Sequence, residues 1–171
     1  SRALGKKREA QKYYRRLLEV APQNESGAWE LAELAVEEGQ YSSAERYFEQ
    51  IVSDKAYLSA QLRVATTRVH TQGVDAAIEV LRNLEPNTEQ EFVDVALTRH
   101  YILQQAHRDY EALGYINETL LYVPDDDELL YARAGVAAQL GDIKIAETDY
   151  RRLLATDPDN PELLNALGYT L

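Results

Sequence analysis

Small and large apolar residues recur together along this chain at helical spacing. Five alanines lie 34, 33, 35 and 34 residues apart, and a bulky apolar residue follows each of them four positions later. The alanines are Ala10, Ala44, Ala77, Ala112 and Ala146, and their bulky partners are Tyr14, Phe48, Leu81, Ile116 and Tyr150. Residues four apart share one face of a helix. Self-similarity at this period therefore predicts a stacked array of helical repeats.

Glycine and proline divide the repeats in a constant order. The glycines that precede the alanines by four or five residues are Gly5, Gly39, Gly73 and Gly141, and the prolines that follow by twelve are Pro22, Pro124 and Pro158. Glycine permits the tight turn between two helices, and proline cannot continue a helix because it lacks the backbone donor. Each repeat therefore reads as helix, glycine turn, helix and proline turn.

The pattern predicts four complete helix pairs with one further helix on each side. The predicted helices cover 6–20, 25–38, 41–54, 56–71, 74–84, 88–107, 109–121, 127–140, 143–156 and 161–171. The chain enters at a glycine turn and stops inside 165–171, which is typical of the first half of another repeat. We therefore expect residues 1–171 to be a single array cut from a longer one. Its cut ends are expected to self-associate or fray, because a solenoid needs polar terminal repeats.

The segment from Asp127 to Asn160 shows the repeat in its clearest form. Its packing positions are Leu130, Ala134, Leu140, Gly141, Asp142, Ala146, Tyr150, Leu153 and Pro158, with Arg133 and Gly135 unusual. In this pattern the chain resembles the tetratricopeptide repeat (TPR) family over essentially its whole length. The resemblance implies an all-α fold, a right-handed α-α superhelix of antiparallel helix pairs. It also implies a scaffold with an extended concave surface and no chemistry of its own.

In TPR arrays the first helix of each pair lines the concave groove, so the resemblance places partner-binding residues on these helices. The candidates are Glu33, Glu37, Arg63, His70, Arg99, Gln105, Tyr131, Gln139 and Asn165. The same projection includes Trp29, Glu30, Thr67, Ile102, Gly135, Ala138 and Tyr169. Trp29 is interpreted as a core residue, as is usual for an aromatic at this place in the family. Tyr131 suits an interface, because tyrosine is amphipathic.

Charge narrows the class of partner. The chain has 29 acidic and 18 basic residues, a net charge of −11. This balance disfavours nucleic acids and anionic membranes and mildly favours basic partners. The basic residues in 6–8 and 15–16 are interpreted as a solvated helix face. No apolar run reaches the roughly 18 residues that a membrane span needs, so we expect no direct membrane insertion.

No catalytic or metal-binding motif is found. The chain has no cysteine, and its histidines, His70, His100 and His107, lie in separate repeats, which makes a metal site improbable. The acidic run 125–128 lacks the ligand spacing of a calcium loop and is interpreted as a helix cap. Phosphate-binding loops and serine-nucleophile elbows are also absent from the sequence. We therefore expect a protein that is not an enzyme and uses no cofactor.

Two classes of function stay open at this stage. The favoured one is an interaction scaffold that holds a protein or an extended peptide in the groove. The other is a self-assembly module, and a regulatory domain of a larger protein is a further alternative. Acidic residues at Glu30 and Glu33 disfavour the TPR mode that clamps a C-terminal carboxylate.

The C-terminal part adds a narrower resemblance. Residues 130–134 and 165–171 are similar to TPR arrays of bacterial envelope proteins, including outer-membrane lipoproteins that act as adaptors for periplasmic enzymes such as carboxyl-terminal processing proteases. This resemblance implies a location in the bacterial periplasm or on the periplasmic face of the outer membrane, with the cytoplasm as the alternative.

The sequence as written contains no methionine, and three repeats look one residue short. The short places lie around Trp29, between Gly73 and Ala77, and between Tyr110 and Ala112. One hypothesis explains both observations, namely that methionines are missing from the written sequence. The alternative is that the helices are irregular by one residue, and the intact mass distinguishes the two.

Overall fold

The computed structural model describes the backbone of residues 2–171 and the side chains of residues 5–171, and this part of the chain contains helices and no strands. The ten helices are α1 (Arg2–Val20), α2 (Glu25–Glu37), α3 (Tyr41–Phe48), α4 (Asp54–Thr71), α5 (Val74–Arg82), α6 (Glu89–Gln105), α7 (Asp109–Thr119), α8 (Asp127–Gln139), α9 (Ile143–Thr156) and α10 (Pro161–Thr170). The prediction of an all-α fold is confirmed.

The helices belong to two compact units, residues 1–85 and residues 86–171. In the first unit, each of the helices α1 to α5 packs against the next one along the chain. In the second unit, α6 to α10 do the same, and α6 also contacts α8. The short connections make sequential helices antiparallel neighbours. Helices α2 to α9 thus form the four predicted pairs.

The repeated alanines lie in the interior of the helical array. Ala44, Ala77, Ala112 and Ala146 have no exposed surface, and Ala10 is half-buried. Their bulky partners from α3 onward are also buried. A methyl group lets two helix backbones approach, and the large side chain one turn later fills the space beside it. The alternation of small and large residues is therefore what specifies the helix pairing.

The turns within the pairs need a backbone with positive φ. Gly39 and Gly141 supply it, with φ of 71° and 80°. In the turn between α6 and α7, where the sequence offers no glycine, His107 takes the same conformation with φ of 56°. The next amide, of Arg108, donates to the carbonyl oxygen of Leu103 at 2.9 Å and closes the turn. Sequence reasoning missed this residue because non-glycine residues seldom adopt positive φ.

The third helix is shorter than predicted. The predicted helix 41–54 ends at Phe48, so its C-terminal boundary was wrong by six residues. The Glu25 carboxylate accepts hydrogen bonds from the amides of Val52 and Ser53, both at 2.8 Å, and from the Ser53 hydroxyl. These bonds hold the connection extended beside the start of α2, and they also lower the pKa of Glu25. Such a contact between distant segments leaves no periodic signal in the sequence.

Candidate partner-binding surface

In the first unit, two predicted groove residues bind each other. Arg63 on α4 donates from Nε and Nη2 to the two carboxylate oxygens of Glu33 on α2, at 2.9 and 2.7 Å. Both side chains are 35% exposed. The Arg63 guanidinium also lies 5.6 Å from the ring centroid of Phe48. The bidentate geometry satisfies both charges within the protein, which leaves them less available to a partner.

The other predicted residues of this unit also have intramolecular contacts. Lys7 on α1 donates to Glu37 at 2.5 Å, and this hydrogen bond raises the pKa of Lys7. His70 stacks on Tyr41 with the ring centroids 4.0 Å apart. Trp29 is half-buried and packs edge-on against Phe48 at 5.3 Å, which confirms its interpretation as a core residue.

In the second unit, Arg99 packs within its own helix pair. Its guanidinium lies 4.0 Å from the ring centroid of Tyr115, and its Nε is buried with no hydrogen-bond partner among the described residues. The neighbouring His100 is buried as well, and this burial lowers its pKa. A cation over an aromatic face is stabilised without an anion. This contact holds Arg99 against α7.

Glutamines join the first helices of two successive pairs. Gln104 on α6 donates to the side-chain oxygen of Gln139 on α8 at 3.1 Å. Gln104 was missed by the projection, which selected the exposed Gln105 beside it. Asn165 is exposed on α10. Because α6 and α8 contact each other, this bond links the first helices of two successive pairs directly.

Beyond the nine candidate groove residues, the helical projection placed two residues in the groove wrongly. Thr67 and Ile102 are buried, and the Thr67 hydroxyl donates to the Arg63 carbonyl oxygen at 2.7 Å. The remaining additional positions are half-buried or exposed. A slip of one residue in the repeat register rotates a helical position by about 100°. Such a slip is enough to exchange a groove position for a core position.

Tyr131 lines an open cavity in the second unit. The cavity has a volume of about 440 Å³, and it lies among α8, the end of α9 and the start of α10, with Leu97 of α6 also lining it. Its lining residues are Leu97, Asp127, Glu128, Tyr131, Ala132, Leu153, Thr156, Asp157, Asn160, Glu162 and Leu163. Tyr131 is 45% exposed there and packs edge-on against Tyr150. Of the nine candidate groove residues, it is the one that lines this cavity.

Helix caps fix the walls of the Tyr131 cavity. Asp126 accepts a hydrogen bond from the amide of Leu129 at 2.9 Å and caps α8, which confirms the capping interpretation of the acidic run. Asn160 caps α10 by accepting from the amides of Glu162 and Leu163, and its own amide donates to Asp157 at 2.8 Å. Capped helix ends have their first amides satisfied and resist fraying. The cavity is therefore bounded by ordered backbone.

Negative charge is concentrated in the second unit. Residues 86–171 contain 16 acidic and 6 basic residues, a net charge of −10, whereas residues 1–85 contain 13 acidic and 12 basic residues. Asp127, Glu128 and Glu162 line the cavity and form no salt bridge within the described part of the chain. The difference in net charge between the two units can be counted from the sequence. The position of these carboxylates around an apolar cavity emerges only from the fold.

A buried ion pair lies elsewhere in the same unit. Arg133 on α8 donates from Nε and Nη2 to the two oxygens of Asp149 on α9, at 2.7 and 2.8 Å, and from Nη1 to Asn117 at 3.2 Å. Asp149 is almost completely buried, and its hydrogen bond raises the pKa of Arg133. The cluster therefore joins α7, α8 and α9 through side-chain hydrogen bonds.

Among residues 5–171, whose side chains the structure describes, histidine, aspartate and glutamate nowhere gather in groups of three that could hold a metal ion. Every helix in this part of the chain is too short or too polar to span a bilayer.

Comparison with known proteins identifies the repeat. Two family models, both described as tetratricopeptide repeat, match residues 2–59 and 127–170. A TPR repeat-containing protein of Pseudomonas aeruginosa is 31% identical over 141 residues, which are 82% of this chain and 24% of that protein. The chain therefore spans about a quarter of the length of this relative.

Solved structures with low sequence identity share the fold. A thermophilic TPR protein from Thermus thermophilus superposes with a TM-score of 0.64 at 19% identity, covering 98% of this chain and 92% of that one. YrrB, described as a TPR protein with an unusual peptide-binding site, gives 0.54 at 14% identity and covers 92% of this chain and 81% of its own. The matched repeats and the helix pairs agree, and the chain belongs to the tetratricopeptide repeat family.

Proposed function

We propose that this chain is a non-catalytic scaffold that binds a segment of a partner protein at the Tyr131 cavity. The observation that carries the proposal is the cavity itself, an open and largely apolar space beside a half-exposed tyrosine. Apolar concave sites with a few polar groups at their edge are typical of binding sites. TPR proteins are generally interaction scaffolds, and YrrB is described as having a peptide-binding site.

The cavity is better suited to this role than the charged positions of the first unit. Glu33, Arg63 and Glu37 already have ion-pair partners within the protein. A partner that displaced these contacts would gain only the difference between the new and the old ion pairs. The Tyr131 cavity offers uncovered apolar surface, whose burial is favourable in itself.

Replacing Tyr131 with alanine is expected to weaken partner binding. A tyrosine at the centre of an interface contributes about 2 kcal/mol, which corresponds to roughly thirtyfold in affinity. Affinity capture from a cell extract, quantified by mass spectrometry, measures the loss of the proteins that the unaltered chain retains. A role as a bacterial envelope adaptor for a periplasmic enzyme is the narrower form of this proposal, and the identity of the captured protein decides it.

A matched variant controls for the loss of a tyrosine. Tyr110 on α7 is 79% exposed and lies outside the cavity, so Tyr110→Ala should retain every partner. Circular dichroism should show that both variants keep their helical content. If Tyr131→Ala and Tyr110→Ala capture the same proteins in the same amounts, the cavity is not the binding site.

Self-association is the second candidate, and α10 favours it. Leu164 and Tyr169 on α10 are 50% and 86% exposed. Burial of this surface between two copies is expected to give a concentration-dependent dimer in sedimentation equilibrium. Leu164→Lys with Tyr169→Lys should shift the protein to monomer by placing like charges at the contact. A monomer at every concentration would remove this candidate.

A further inference from the structure

The chemistry around the Tyr131 cavity specifies its occupant more closely. Resting on the scaffold function proposed above, we propose that the cavity receives one large apolar side chain from a basic segment of the partner protein. The apolar side chain would enter the cavity, and flanking lysines or arginines would contact its carboxylate rim.

The floor of the cavity is apolar and spans several helices. Leu97 comes from α6, Tyr131 from α8, Leu153 from α9 and Leu163 from α10. Leu153 and Leu163 are themselves members of the hydrophobic core. A side chain that enters here extends this core, so its burial contributes as core burial does. A leucine or an aromatic residue suits such a floor better than a polar residue, which would leave hydrogen bonds unmade.

The rim of the cavity carries only negative charge. Asp127, Glu128, Asp157 and Glu162 line it, and no lysine or arginine does so within the described part of the chain. A second cavity of about 480 Å³ shares Asp127 and Glu128 and is also lined by Glu89, Asp126 and Asp125, of which Asp125 is already paired with Arg152. Like charges held together repel one another, and an incoming cation relieves this repulsion. The acidic surface therefore extends far enough for residues on both sides of the inserted one.

The first unit lacks this combination, because its apolar cavity of about 350 Å³ is lined by Arg15 as well as by Glu19. The net charge of this unit is −1, and Glu33 and Glu37 on α2 are neutralised by Arg63 and Lys7. A basic segment would have to compete there with cations that are already in place. Among the surfaces of the described residues, the Tyr131 cavity joins an apolar floor to carboxylates without salt-bridge partners. Charge complementarity thus assigns the basic segment to the second unit.

Synthetic peptides test the proposal without knowledge of the natural partner. The probe is a capped, fluorescein-labelled peptide with a central leucine between pairs of arginines, titrated with the whole chain by fluorescence polarisation. One comparison peptide replaces the leucine with glycine, and another replaces the arginines with glutamates. We expect the first peptide to bind at least about tenfold more tightly than either comparison peptide, because both halves of the site contribute.

Conservative variants of the rim residues test whether the peptide binds at the Tyr131 cavity. The double variant Glu128→Gln, Glu162→Gln removes two rim carboxylates that form no salt bridge. It should lower the affinity for the leucine peptide about tenfold at low salt. Glu118→Gln, on the exposed side of α7, is the matched control and should change binding less than twofold. At 0.5 M salt the effect of the double variant should shrink to about twofold because the charges are screened.

Each other outcome overturns the proposal. Equal binding of the glycine peptide excludes insertion of an apolar side chain, and equal binding of the glutamate peptide excludes the acidic rim. Absence of binding by all three peptides also contradicts the proposal. A dimer that Tyr131→Ala abolishes would contradict it too, because a second copy of the chain would then occupy the cavity. If Tyr131→Ala still loses its captured partner while the rim variants bind peptide normally, the scaffold function stands and this inference fails.

Discussion

Replacing Asp149 with alanine is expected to lower the free energy of unfolding by about 3–5 kcal/mol, because it leaves a partly buried guanidinium without its counter-ion. Asp149 is 1% exposed and accepts two hydrogen bonds from Arg133. In the variant, Arg133 keeps only the neutral oxygen of Asn117. Denaturation by urea, followed by circular dichroism, measures the loss.

Two controls separate a buried unpaired charge from the loss of any ion pair. Arg133→Met with Asp149→Leu replaces the pair by apolar side chains and should stay within about 1.5 kcal/mol of the unaltered chain. Glu147→Ala removes the more exposed pair with Arg151 on the same helix and should cost about 0.5 kcal/mol or less. If Asp149→Ala is no more costly than Glu147→Ala, the pair does not join these helices as described.

The fold could be predicted from the sequence because small and large side chains alternate along the helices that pair. Ala44, Ala112 and Ala146 are fully buried, and the prolines at Pro124 and Pro158 lie just beyond the ends of α7 and α9. These are local signals that recur at a constant period. The end of α3 was misjudged, because the sequence does not show that Val52 and Ser53, beyond that end, donate to the carboxylate of Glu25 on another helix.

Only part of the candidate site could be predicted from the sequence. Helical projection selected Tyr131, which lines the cavity proposed as the site, but it could not show that Arg63 is paired or that Arg99 packs on Tyr115. Both depend on which side chain stands opposite on a neighbouring helix, and the sequence does not encode that position as a repeat. Arg133 stood out as unusual within its repeat, and only the structure supplied Asp149 as the reason.

In the first unit, Phe48→Ala is expected to have a comparable effect, a loss of about 3–5 kcal/mol in the free energy of unfolding. Phe48 has no exposed surface and belongs to a core that includes Trp29 and Val64. Its ring also lies under the Arg63 guanidinium. Removing the Phe48 ring leaves a cavity. The two flanking helices fill this cavity only in part, because further contacts hold each of them in place.

The single tryptophan makes this prediction directly observable. Trp29 packs edge-on against Phe48 with the ring centroids 5.3 Å apart, so its fluorescence reports on this contact. We expect Phe48→Ala to shift the emission towards that of a hydrated indole and to lower the midpoint of urea unfolding. Tyr57→Ala, an exposed aromatic of the same unit, should cost about 1 kcal/mol or less and leave the emission unchanged. An unchanged emission in Phe48→Ala would contradict the packing of α2 against α3, since no other tryptophan contributes to the signal.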